Sequence, residues 1–537
     1  MMASERLFLI GVGGTGMRGV EAFTHLCAVG MFDDLEIDML LIDTDTNNGN
    51  KSRTEQLVDR YMRIKGGGDA TRNSFFTAKL NLYRYAPSYS GETLTYTALS
   101  GLATGNEETR RRNRDLSALL FDADVQDFKL DHGYRAQTHL GSHLMYHAII
   151  DAARRVRGDA TGRAPRREDE SLMKFINRIF EAKEDARVFI LGSIFGGTGA
   201  SAIPILPKAL GDALKVRDRN QKLSDQAKFG CSLLTDYFSF NVPDAQQRRD
   251  QRIIADSNNF ARNSQAALMF YEADATVQRT YERMYHVGWP SRMDWSIGGA
   301  AGQTVTGGAE QENPAHAAEL LCAAAAHHFL KGPHHGEKAE IVYRSAGMAG
   351  SAYAFEAKDF FGQEYAETFR ARLGALYALA HITQVVDAGT RNTIGNFERQ
   401  NIADYNGIPD DDARDLDAYF RSFAFGVDQT AVTPGWLWQV RRSVGGPFIL
   451  DANAFGDSPA ALKQYNFGKL YADDAHQFAA KGGLLGLGSG KPYEEFSKTL
   501  YTDPSVRPDT VRQNASRPNE RFLAHCFNAL MKLYRFA

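Results

Sequence analysis

The residues of this chain best suited to chemistry are glycines and threonines in two short runs. Gly11-Val12-Gly13-Gly14-Thr15-Gly16-Met17 follows the apolar stretch Leu7–Ile10, and Gly196-Gly197-Thr198-Gly199-Ala200-Ser201 lies just beyond the apolar stretch Val188–Leu191. A glycine-rich turn at a helix start leaves backbone N–H groups unpaired and clear of Cβ atoms, and the helix dipole adds partial positive charge. Such a turn grips an anion, and Thr15 and Thr198 would add hydroxyl donors. A single loop of this kind is also what any tight strand-to-helix turn looks like. Two in one chain predict a phosphate chain held from two sides. Gly→Val at positions 197 and 199 is then expected to abolish binding and leave the fold largely intact.

The first run, read as Gly11-x-Gly13-x-x-Gly16, also satisfies the dinucleotide-binding fingerprint. That reading, a Rossmann NAD(P)- or FAD-dependent oxidoreductase, expects an acidic residue at the end of the second strand. Asp43 can serve, although it comes late, and the second glycine run has no task there. Neither run is a Walker A loop, because no Gly-Lys-[Ser/Thr] follows.

The elements that must position these loops can be read from periodicity. Leu7–Ile10 reads as a strand, 17–29 as a helix with Val20, Phe23 and Leu26 on one face, and Ile37–Ile42 as a second strand ending in Asp43-Thr44-Asp45-Thr46. This is the opening unit of a parallel α/β sheet. Further strands are expected at 187–191, 229–235 and 282–288, and helices at 142–153, 172–180, 202–216, 246–272, 314–331 and 360–387, with Pro207 marking a kink. The stretch 154–170 is poor in apolar residues and reads as an exposed insertion. Beyond Gly336 the character changes to helical segments with Gly-rich turns. The expected organisation is a nucleotide-binding domain over 1–312, a central helix and loop over 313–340, and a mostly helical C-terminal domain over 341–537.

Composition sets the outer bounds. The chain has 537 residues, 43% hydrophobic and 24% charged, with a formal net charge of -3, so no global basic field draws it to nucleic acid or anionic lipid. Cys27, Cys231, Cys322 and Cys526 are far apart and form no CxxC pattern. No apolar run reaches the roughly 20 residues of a membrane helix, and no basic segment followed by a long apolar run marks a secretory leader. A cytoplasmic protein is expected. His327-His328 and His334-His335 are weak metal candidates, because adjacent helical residues point to different sides. Arg110, Arg111, Arg112 and Arg114 read as a solvated helix face.

Taken together, the motifs resemble a known family. Phe195-Gly196-Gly197-Thr198-Gly199-Ala200-Ser201 is similar to the tubulin/FtsZ signature, and Gly11–Gly16 resembles the first phosphate loop of FtsZ. Asp43-Thr44-Asp45 resembles the Asn-Thr-Asp that ends its second strand. Thr235–Asn241 resembles the loop that reaches the ribose. Gly133–Gly141, with Gln137, occupies the place of the loop facing the γ-phosphate. Asn313 falls where the family's central helix presents an amide or acid to guanine, and order and rough spacing agree over about residues 6 to 340.

The resemblance implies an α/β fold, a parallel Rossmann-like sheet of the tubulin/FtsZ GTPase type with a divergent, largely helical C-terminal region. It implies GTP or GDP with Mg²⁺, phosphates held by Gly11, Gly13, Gly14, Thr15, Gly16 and Met17 and by Gly196 to Ser201. Asp43, Thr44 and Asp45 would line the phosphate side, with Asp45 reaching Mg²⁺ through water, Asn241 the ribose and Asn313 the base. It also implies self-association, with hydrolysis completed in trans by acids after the central helix. At that place Glu337 and Glu340 keep the family's acid spacing but replace its Asn and Asp residues, so slow hydrolysis is expected. Ala309 stands where an aromatic often stacks on guanine. Residues after about 345 do not resemble the family's second domain, so polymerisation is not inherited. That half could instead receive a protein partner, as in a non-polymerising regulatory subunit of a bacterial conflict or defence system.

Overall fold

The computed structural model describes residues 6–89, 95–99, 106–130, 133–159, 164–223, 227–240, 245–246, 253–294, 307–332, 340–344, 347–349, 352–386, 393–405, 407–425, 435–446, 448–451, 470–471, 476–478 and 492–536. In chain order the strands that build the site are β1 (Arg6–Val12), β2 (Glu36–Ile42), β3 (Lys79–Tyr85), β4 (Ala186–Leu191), β5 (Lys228–Leu234), β6 (Phe238–Ser239), β7 (Tyr281–Val287), β8 (Met293–Asp294) and β9 (Glu340–Arg344). Seven of them form one sheet in the order β3-β2-β1-β4-β5-β7-β9. Every neighbouring pair is parallel. The chain works outward from β1 to β3, crosses back to β4, and works outward the other way. β6 and β8 pair as a short parallel ribbon.

A parallel sheet covered on both faces needs strands that are apolar throughout rather than alternating. β1, β2 and β4 meet this need: all but the first residue of β1 and β2, and every residue of β4, are buried. Successive residues still point to opposite faces, so Leu7 and Leu9 join one core while Phe8 and Ile10 join the other.

Among the helices are α1 (Gly13–Ala28), α2 (Gly49–Lys65), α3 (Glu107–Leu120), α4 (Thr138–Arg157), α5 (Arg167–Ala182), α6 (Thr198–Ala202), α7 (Leu206–Arg217), α8 (Phe260–Ala273), α9 (Ala317–Lys331), α10 (Ala357–His381), α11 (Thr393–Asn401), α12 (Asp410–Phe420), α13 (Trp436–Val444) and α14 (Pro518–Leu533). α4, α5 and α7 cover one face of the sheet. α1, α2 and α9 cover the other, and α10 to α14 pack outside them in the same continuous core. α9 is buried on nearly every side. A helix apolar all round belongs in a core, and its alanines let it lie close against α1. The α/β class with a Rossmann-like parallel sheet and a largely helical C-terminal region is therefore the fold this chain adopts.

Several boundaries differ from the sequence reading, each for a physical reason. The stretch 154–170 is not a simple exposed insertion: α4 runs through Arg157 and α5 starts at Arg167, while 160–163 lie outside the described residues. Asp169 is fully buried there and accepts hydrogen bonds from Arg155 Nε at 2.8 Å and from Arg166. Burial alone would raise its carboxyl, but those guanidinium hydrogen bonds hold it at about 2. A low apolar count concealed a buried ion cluster. The helix read at 202–216 is broken at 203–205, where α6 ends and α7 begins, because Pro204 and Pro207 cannot donate to a helix ladder. Of the helix read over 246–272, residues 247–252 lie outside the described residues and 253–256 are not helical, and α8 starts at Phe260 after a turn capped by Asp256. α9 starts at Ala317, with His316 as its cap, so Asn313 precedes the helix rather than opening it.

Candidate functional site

Strand register brings the loops together. Gly11 of β1 lies opposite Leu41 of β2 and Leu191 of β4, so these three strands end almost level and their loops leave side by side. This is the carboxyl edge of the sheet, at the point where strand order reverses. Open α/β sheets bind ligands in that crevice. Here it is a solvent-open cleft enclosing about 130 Å³. Gly13, Gly14, Thr15 and Gly196–Gly199 line one part of it, and Phe238, Phe240, Gln311 and Asn313 line another.

Thr198 is where the loops converge. A Cβ on Gly13, whose φ of 66° is left-handed, would lie 3.1 Å from Thr198 Cβ. Thr198 Oγ1 is 3.3 Å from Thr44 Oγ1. Gly133, also left-handed at φ 80°, sits against both threonine hydroxyls. The segment Tyr134–Ala136 closes over Gly197, and a Cβ there would meet Ala136 N at 3.0 Å. Arg135 and Ala136 hold left-handed φ of 45° and 64°. That conformation costs a non-glycine residue about 1–2 kcal/mol. Arg135 Nη1 donates to Ile253 O at 3.1 Å, which anchors the loop. No side chain caps α1 at Val12, so its first-turn N–H groups remain open toward the cleft.

The glycines and their neighbours divide by role. Gly13, Gly14, Thr15, Gly196, Gly197, Thr198, Gly199, Asp43, Asp45 and Asn313 line the cleft. Gly11 and Gly16 do not: a Cβ on Gly11 would strike Val20 at 2.6 Å, and one on Gly16 would strike Leu191 O at 2.5 Å. They let α1 lie close to β1 and β4. Met17 is fully buried in the core, Ala200 is buried behind the loop, and buried Ser201 donates to Gly197 O at 2.6 Å. Thr44 is buried beneath Thr198, and Gln137 sits at the N-cap of α4. Gly→Val at 197 and 199 would not leave the loop intact, since a Cβ on Gly199 would meet Ser193 O at 2.6 Å. Asn241 and Glu337 lie outside the described residues, and Glu340 opens β9.

No protein-family model matches the chain, and no curated protein does. Solved structures similar to part of it include the following two. CetZ from Methanosaeta thermophila strain DSM 6194 is 12% identical with a TM-score of 0.20, over 53% of this chain and 46% of that one. Clostridium botulinum phage c-st TubZ is 12% identical with a TM-score of 0.19, over 54% of each chain. The match thus spans about half the length of either relative, and at these TM-scores it carries no functional inference.

The acids at the end of β2 have different tasks. Asp45 is engaged by backbone donors: Gly308 N at 2.6 Å and Asn47 N at 3.1 Å. Asp43 accepts from Asp45 N at 3.1 Å through Oδ1, while its buried Oδ2 has no hydrogen-bond partner. Burial lifts the Asp43 carboxyl to about 7, and the neighbouring Asp45 charge pushes the same way. A buried carboxylate oxygen without a donor, in the wall of this cleft, has the chemistry to hold a divalent cation such as Mg²⁺. By this criterion Asp43 is the better placed of the two acids.

The other end of the cleft holds a network that sequence reading missed. Arg18 of α1 is buried and donates to Asn313 Oδ1 at 2.8 Å, to Glu319 of α9 and to Tyr237. Its guanidinium also lies 5.5 Å from the Phe238 ring centroid. Burial alone would favour loss of its proton, but Tyr237 and Glu319 outweigh that and keep it charged. Asn50 of α2 forms a reciprocal pair with Asn313: Asn50 Nδ2 donates to Asn313 Oδ1, and Asn313 N to Asn50 Oδ1, both at 2.8 Å. The available signal was Arg18 and Glu319, charges set within apolar helical faces.

Other candidates are accounted for. His327 is buried, and Tyr285 OH lies 2.8 Å from His328 Nδ1; His334 and His335 lie outside the described residues. Among the described residues no group of three or more His, Cys, Asp or Glu could hold a metal, and no helix is long and apolar enough to cross a membrane. All four cysteines are free and buried. Arg110, Arg112 and Arg114 pair with Glu107 and Glu108 on the exposed α3.

Proposed function

We propose that this chain is a tubulin/FtsZ-type nucleotide-binding protein that takes GTP or GDP at the switch-point cleft. The observation that carries the reading is convergence: both glycine loops and the Thr44 hydroxyl meet at Thr198, beside the open N-terminus of α1. In this reading Gly13–Thr15 and Gly196–Gly199 donate to the phosphates, and the Phe238 and Phe240 rings supply apolar surface for a base near Asn313. Asp43, with Asp45 beside it, would hold Mg²⁺, whose charge offsets that of the phosphates when bound. Asn241 would approach the ribose. Glu337 and Glu340 would act on a neighbouring copy's nucleotide, making self-association a condition of hydrolysis, which is slow because both carboxylates are longer than the family's.

Calorimetry with GTP, GDP, ATP and NAD, with Mg²⁺ present, tests the site. Thr198→Val keeps the side-chain volume and removes the hydroxyl. A lost hydrogen bond to a charged group is worth about 1.5–3 kcal/mol, so GTP affinity should fall by about 10- to 150-fold with little change in melting temperature. Unchanged affinity would overturn the phosphate assignment. A dinucleotide site is the second reading, favoured by Asp43 standing at the end of β2; NAD binding without GTP binding would establish it. A non-polymerising regulatory subunit would use the same site and differ by the absence of GTP-dependent sedimentation.

A further inference from the structure

α4 carries three histidines spaced four residues apart, His139, His143 and His147. Adjacent histidines diverge on a helix, but residues four apart share a face, with Cβ atoms about 5–6 Å from each other. Two of the three are brought together: the His143 and His147 ring centroids are 4.6 Å apart. A metal about 2.0–2.1 Å from one nitrogen of each ring would put the ring centres about 4.5–5 Å apart. Neighbouring aromatics hold both rings. His143 packs edge-on against Tyr96 at 5.8 Å and Phe121 at 6.1 Å, and His147 against Tyr146 at 5.7 Å. His139, one turn earlier, rests on Phe121 at 5.2 Å. Among the described residues neither His143 nor His147 makes a hydrogen bond, so their nitrogens are not committed to the protein. His147 is exposed and His143 half-buried, which leaves the pair open to solution. Burial and the His147 charge lower the pKa of His143, so its ring is neutral, as a ligand must be. Neither histidine lines the cleft.

We infer that His143 and His147 form a two-point site for a divalent transition metal such as Zn²⁺ or Ni²⁺. Imidazole nitrogen suits these ions, whereas Mg²⁺ and Ca²⁺ take oxygen ligands. Two protein ligands leave coordination positions for water or for a donor from outside the chain. The site is thus an open one, unlike the sets of three or more ligands, of which the described residues hold none. It is separate from the acids of the cleft and stands whether or not the cleft takes a nucleotide.

The test uses the full chain without a histidine tag. Calorimetry with Zn²⁺, in excess Mg²⁺ so that the cleft carboxylates are occupied, would compare wild type, His147→Gln and His139→Gln. Both substitutions fall on exposed side chains, so melting temperatures should not change. One Zn²⁺ per chain is expected. His147→Gln, which forfeits the second donor, should bind it at least about tenfold more weakly, and His139→Gln within about threefold of wild type. Equal Zn²⁺ binding by His147→Gln, an equal loss in His139→Gln, or no binding to wild type tighter than about 1 mM would overturn the inference.

Discussion

At the scale of single residues, Asp43 connects the cleft to solution conditions. Its carboxyl sits at about 7 in the folded chain against an ordinary value of 3.8. Between those values the folded state holds a proton that the unfolded state has released. Stability then falls as pH rises through this window, and the contribution is complete only below about 3.8. Above pH 7 the empty protein carries a buried charge whose Oδ2 has no donor. Asp43→Asn should therefore stabilise the ligand-free protein at pH 8 and change it little at pH 5, as read by urea unfolding at both values. Equal effects at the two pH values would show that Asp43 is not protonated at its site.

At the scale of elements, the β1–α1 turn separates two uses of glycine that a fingerprint cannot. A Cβ on Gly16 would lie 2.5 Å from Leu191 O, whereas one on Gly14 would meet its nearest atom, Asn50 Nδ2, at an ordinary 3.5 Å. Gly16→Ala must push α1 away from β4, an overpacking cost of about 1–3 kcal/mol. Gly14→Ala should hold or raise stability and weaken nucleotide binding, because Gly14 lines the cleft. Thermal melts beside GTP titrations would check both, and the reverse pattern would mean that the two roles are exchanged. This is also where the sequence was least legible. β1, β2 and both loops announced themselves, since an apolar run followed by glycines is a local signal. β3, with Asn81 and Arg84 in its middle, carries no such run, being an edge strand. The base end could not be read at all, because Arg18 and Asn313 are 295 residues apart and Asn50 and Asn313 are 263 apart. Such pairings follow from topology and leave no spacing to recognise.

At the scale of the molecule, the C-terminal helices seal one face of the sheet through α1. His25 of α1 donates to or accepts from Tyr419 OH at 2.8 Å and packs against Phe423 and Trp436. Burial, then the Arg53 charge, lowers its pKa to about 3. Burial likewise leads the lowering to about 3 at His316, with Arg18, and at His327, with Lys331. Between pH 3 and 6.5 the unfolded state takes up these protons and the folded state does not, so stability is lost as pH falls below 6.5. Three such groups outweigh the opposite slope of Asp43. Urea midpoints should drop from pH 7 to pH 5, and His25→Phe should make that drop shallower; an unaltered slope would place the acid sensitivity elsewhere. The same packing bears on how the chain comes to be folded in a cell. Asn519 of α14 donates to Ile64 O of α2, a contact across 455 residues. At about 5–20 residues per second, synthesis of that interval takes about 20–90 s. Throughout it, the end of α2 that α14 will cover stays open, a long vigil for chaperones during translation.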